Sequence, residues 1–160
     1  MTEQTTGIAV TVLGVGNPIM ADDGVGLELL AQLELALPDP RVDYVWGGTG
    51  GLELLGVLQD SQRLLILDAI AGPTPGQVVE VTGDQIKRLL AAKLSPHQIG
   101  LLDVFSAARL TGREPEEVTA IGIVPEIVEM RVGLTEVVAA AIPQALEQAI
   151  AQINRWLTNA

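Results

Sequence analysis

Four side chains in this sequence have the types and placement to do chemistry: the adjacent carboxylates Asp22 and Asp23, the carboxylate Asp68, and His97, the only histidine in the chain. Asp22 and Asp23 follow a glycine-rich stretch, VLGVGNPIMADDGVG (12–26), at the expected start of a helix. A carboxylate there caps backbone N–H groups and complements the helix dipole, and one aspartate suffices for that. The pair reads either as helix capping alone or as one capping residue beside one that faces the crevice. Asp68 closes the apolar run LLIL. Carboxylates brought together at one edge repel and raise each other's pKa unless a cation lies between them, and a divalent metal resolves that conflict. His97 follows Ser95-Pro96, a helix start whose positive end favours neutral imidazole, the ligating form. Asp23, Asp68 and His97 would together make a two-carboxylate, one-histidine site suited to nickel or zinc.

Those residues need elements that bring them together. Ile8 to Val15, Val42 to Trp46, Arg63 to Leu67 and Val118 to Val124 are apolar, β-branched-rich runs that read as buried strands. Gln77 to Thr82 alternates after a short turn, which predicts an antiparallel neighbour. Helices are expected from Asp22/Asp23 to Pro38, over Asp84 to Ala92, over Ser95 to Gly112, and over Leu134 to Trp156, with a kink or break at Pro143. Alternating strands and helices predict one α/β domain over residues 1–160. The expected architecture is three-layer α/β/α, with a twisted, mostly parallel five-stranded sheet. In such a fold the loops after the strands, 16–23, 46–51 and the one at Asp68, share one edge of the sheet.

Composition narrows the function. A net charge of −11 over 160 residues argues against a nucleic-acid partner. No apolar run reaches the roughly 18 residues of a membrane span, and the polar N-terminus does not read as a signal peptide, so a cytoplasmic protein is expected. The chain has no cysteine, which removes thiolate ligands and a Cys nucleophile. GVGNPI lacks the third glycine of the dinucleotide fingerprint, and Trp46 stands where a ribose-binding acid would be expected. No lysine-bearing phosphate loop and no H-E-x-x-H are present, and Ser61, Ser95 and Ser106 lack the G-x-S-x-G context.

Several segments in order resemble the hydrogenase maturation endopeptidases, the proteins that finish the large subunit of NiFe hydrogenases. They are GVGNPIMADDGVG, GGTGGLELL (47–55), LLILDAI (64–70), SPHQIGLLDVFSAARLTG (95–112) and IGIVPE (121–126). The likeness is greatest to those serving uptake-type hydrogenases. It implies an aspartic-type peptidase that removes a C-terminal extension from the large-subunit precursor once nickel is inserted. It also implies nickel supplied by that precursor, with zinc or cadmium as in vitro substitutes, and metal ligands at Asp23, Asp68 and His97, which are also the catalytic candidates. Gly47, Gly48, Thr49 and Gly50 fall to substrate binding, and Asn17, Asp22 and Glu126 to supporting roles. Relatives often have glutamate at the first ligand position and commonly aspartate where this chain has Trp46. The competing reading is a nickel-checking chaperone or scaffold that uses the same ligands and cuts nothing.

Overall fold

The computed structural model describes residues 7–83, 85–86, 88 and 104–159. Five strands form one sheet: β1 (Val10–Val15), β2 (Val42–Gly48), β3 (Arg63–Ala69), β4 (Val78–Thr82) and β5 (Glu117–Ile123). Their order is β2-β1-β3-β5-β4. The β1–β2, β1–β3 and β3–β5 pairs are parallel, and β4 runs antiparallel to β5, as its short approach predicts. Every residue of β1 is buried because the strand is central and covered on both faces. Val10 and Val12 enter one core and Leu13 and Val15 the other, which is the period-two signature of a strand.

Helix α1 (Val25–Ala36) and the C-terminal helix (Glu136–Thr158) cover the first face. Helix α2 (Leu55–Asp60) and the helical residues 104–110 cover the second, through Leu58, Val104, Phe105 and Ala108. This is the expected three-layer α/β/α arrangement. Helix α1 stops at Ala36, ahead of Pro38 and Pro40. The helix start expected at Ser95-Pro96, His97 itself and most of the expected helix 84–92 lie outside the described residues.

Some boundaries differ from expectation. β2 runs past Trp46 through Gly48, with a register shift opposite Gly14 and Val15 that leaves Gly47 without a partner. Asp68 is inside β3 and not beyond it. Pro143 does not break its helix, which is continuous over 23 residues. The proline and Ala139, whose carbonyl loses its i+4 partner, are both on the exposed face, where water can take the bond.

The joint between α1 and the sheet is unusually close. A Cβ on Gly26 would lie 2.3 Å from the carbonyl oxygens of both Val15 and Leu67. The first turn of α1 thus rests directly on the carboxyl ends of β1 and β3. Gly26→Ala should destabilise the fold by about 2–3 kcal/mol, because only backbone lines that contact. Gly56→Ala, on an exposed turn of α2 with nothing within 4 Å, should instead stabilise by about 0.5–1 kcal/mol. Urea denaturation of the two variants checks both signs.

Candidate active site

The sheet reverses direction of growth between β1 and β3, and open α/β sheets bind ligands at the carboxyl ends of strands at that point. Both described candidate ligands are there. Asp23 lies in the 3-10 turn Ala21–Gly24 that follows β1, and Asp68 is the penultimate residue of β3. Their fractional exposures are only 5% and 4%. Asp23 Oδ2 accepts the Asn17 backbone N–H at 3.0 Å, and Asp68 Oδ1 accepts the Ala69 N–H at 2.7 Å. Asn17 Oδ1 in turn accepts the Ile19 N–H, a side-chain turn that shapes the loop. Gly16, at φ +141°, lets the chain leave β1 and fold back; a Cβ there would meet the Asp23 carbonyl at 2.2 Å. Two buried carboxylates on neighbouring strand ends fit a divalent cation by donor chemistry. Among the described residues no group of three or more metal-ligating side chains forms, and His97 is outside them.

Asp22 is not a helix cap. Neither the 3-10 turn nor α1 has a side-chain cap bond. The Asp22 carboxylate is fully buried and turns toward the loop after β5. Its Oδ2 accepts the Glu126 N–H at 2.9 Å, the Ile127 N–H at 3.0 Å and the Thr135 hydroxyl at 2.8 Å; its Oδ1 accepts the Thr135 N–H at 2.8 Å. Backbone bonds reinforce this clasp: Asp22 N–H to the Ile127 carbonyl, Ala21 N–H to that of Arg131, and Arg131 N–H to that of Ile19. Glu126 therefore contributes its backbone, while its side chain is exposed. Glu126 was expected to support the site, but the roles of Ile127 and Thr135 were not legible in the sequence, since their partner is more than 100 positions away.

Gly47 and Gly48 finish β2, and Gly50 N–H closes a turn on the Gly47 carbonyl. Gly16 N–H donates to the Gly48 carbonyl at 2.8 Å, so the loops after β1 and β2 are tied together at the same edge, with Thr49 at their junction. Trp46 is 63% exposed, with its indole against Gly48.

Comparison with known proteins decides the family. Residues 25–152 match the profile of the HycI hydrogenase maturation proteases. The chain belongs to the hydrogenase maturation protease family. It is 41% identical over 149 residues to the hydrogenase 2 maturation protease of Escherichia coli K12, covering 91% of this chain and 90% of that one. It is 38% identical over 151 residues to the hydrogenase expression/formation protein HoxM of Cupriavidus necator, covering 92% and 75%. Its fold superposes on the E. coli hydrogenase maturating endopeptidase HybD with a TM-score of 0.87 at 40% identity, covering 92% and 93% of the two chains. As a member of that family this protease is a peptidase hydrolase. Among its described residues no helix is long and apolar enough to cross a membrane.

The clasp has a pH signature. Burial pushes the Asp22 pKa up, but the donors from Thr135, Ile127 and Glu126 outweigh it and hold the pKa below 3.8. A carboxyl more acidic in the folded than in the unfolded state stabilises fully above the unfolded pKa, and the contribution is lost as pH falls through the folded one. Asp22→Asn places an amide N–H₂ against backbone donors. It should cost about 2–4 kcal/mol at pH 7 and flatten the loss of stability below pH 3.8. Urea titrations of wild type and variant at pH 7 and in acid measure both effects.

Proposed function

We propose that this protease removes the C-terminal extension of a NiFe-hydrogenase large-subunit precursor after nickel insertion, and that Asp23, Asp68 and His97 read the inserted metal. The observation that carries the reading is the pair of buried carboxylates at the ends of β1 and β3, inside a fold matched over nine-tenths of the chain by HybD. Burying two carboxylates at one edge costs free energy without a cation, and a nickel-loaded precursor brings one. In this reading nickel is cargo: half its coordination comes from the precursor, so an unloaded precursor lacks the charge the site is built for. Zinc or cadmium would substitute in vitro on the same donor chemistry. An uptake-type large subunit as substrate and a cytoplasmic site of action are part of this proposal; the match to the hydrogenase expression/formation protein HoxM supports a role in hydrogenase formation.

The chain's own groups have distinct tasks. Asp23 and Asp68 supply negative charge and oxygen donors, and His97 supplies a nitrogen donor. The Asn17 N–H and the Ala69 N–H each hold one carboxylate oxygen and so fix the rotamers. The 47–50 turn, tied to Gly16, leaves backbone open to the precursor's main chain at the same edge. Nickel fixed between the two proteins would position the scissile bond and, as a Lewis acid, polarise its carbonyl or activate water.

Intact mass of the precursor, with and without nickel, tests this directly. Loss of one C-terminal fragment only from the nickel-loaded sample is the expected result. Nickel-dependent binding with unchanged mass would instead favour the scaffold reading. Asp68→Asn retains an acceptor for the Ala69 N–H and should stay within about 1 kcal/mol of wild type in stability while losing cleavage. His97→Ala should likewise abolish cleavage; normal nickel-dependent processing by either variant would remove that residue from the metal-reading set.

A further inference from the structure

A groove of about 280 Å³ opens on the α1 side of the active-site edge. Pro18 and Ala21 of the first loop, Leu27 and Glu28 of α1, Trp46 of β2 and Val132 of the β5 loop line it. Two of its lining side chains are apolar and exposed, Trp46 at 63% and Val132 at 82%, and Ile19, Val128 and Met130 are exposed on the two loops that supply its walls. Large apolar side chains exposed along a groove mark a surface that something binds. Glu28 is the only ionisable side chain among the described residues that line it. It accepts a bond from Gln32 Nε2 through Oε2.

The groove is separate from the metal-reading edge but continuous with it. Trp46 shares the sheet face of Val42 and Tyr44, which pack with α1, whereas Asp68 shares the opposite face with Leu64 and Ile66. Ala21 and Gly24, which flank the two aspartates, form its floor. The clasp on Asp22 holds both loop walls in place. A ligand in the groove thus touches the loop that carries Asp23 without reaching Asp68.

From this geometry we infer that the groove is an exosite for an extended segment of the precursor, away from the scissile bond. The segment would place a bulky apolar side chain against Trp46 and Val132 and a neighbouring lysine or arginine against Glu28. A cation is the chemistry one carboxylate in an apolar groove selects, and the chain's net charge of −11 favours its approach. The proposal rests on the peptidase reading above.

Processing of nickel-loaded precursor, followed by intact mass over a range of concentrations, is the test. Trp46→Ala should raise KM about tenfold, as loss of a buried aromatic anchor does, and leave kcat within about twofold. Glu28→Lys should also raise KM. Leu110→Ala removes an exposed side chain from the opposite face of the sheet and should match wild type. If the wild type fails to cut, the peptidase reading falls. If the wild type cuts and Trp46→Ala behaves as Leu110→Ala, the exosite falls alone. It falls equally if sedimentation shows wild type self-associating through the groove and Trp46→Ala monomeric, or if Trp46→Ala lowers kcat with KM unchanged. An unchanged thermal midpoint for Trp46→Ala excludes unfolding as the cause.

Discussion

Asp22 ties the loop after β1 to the loop after β5 across more than 100 residues of sequence, and the site depends on that tie. Four donors converge on one buried carboxylate. Removing it leaves those donors buried without their acceptor, a penalty larger than the net worth of the bonds themselves. The clasp also holds Ala21 at φ +51°, a left-handed conformation that costs a non-glycine residue on the order of 1–2 kcal/mol. Its N–H bond to the Arg131 carbonyl is one of the contacts that offset this cost. The strain lies next to Asp22 and Asp23, in the segment that must aim a carboxylate at the edge.

The two aspartates do different work because of the turn they occupy. Ala21–Gly24 is a 3-10 turn, in which successive side chains diverge by about 120°. Neighbours in such a turn cannot share an environment. Asp22 points into the protein toward Thr135, and Asp23 turns back to the Asn17 N–H at the strand end. The clasp carboxylate and the strand-end carboxylate are thereby adjacent in sequence and parted by direction in space. The close seat of Gly26 on β1 and β3 fixes the next turn and completes the loop's position.

Much of this was legible in the sequence. Apolar runs located β1, β2, β3 and β5, most plainly the central strands, because strands covered on both faces read as continuous hydrophobic stretches. The alternation of 77–82 gave the antiparallel edge. Asp68 was legible as a polar residue ending an apolar run. Asp22 was misread as a possible cap because local sequence offers only local partners, and its real partners are in the 125–135 loop. Pro143 was expected to disturb a helix that in fact continues, since the lost bond falls on a solvated face.

Trp46 marks the limit of reading by resemblance. Against relatives that commonly carry aspartate there, the tryptophan registers as a departure and a lost carboxylate. In the fold it is one wall of an apolar groove whose other walls come from α1 and from the loop held by Asp22. A solvated carboxylate at that position would make the wall polar and, beside Glu28, would add a like charge. Tryptophan instead leaves the exposed Glu28 as the one ionisable side chain among the described residues that line the groove. The substitution therefore changes the chemistry of the groove, while the clasp and the strand-end carboxylates that define the edge are built from other residues.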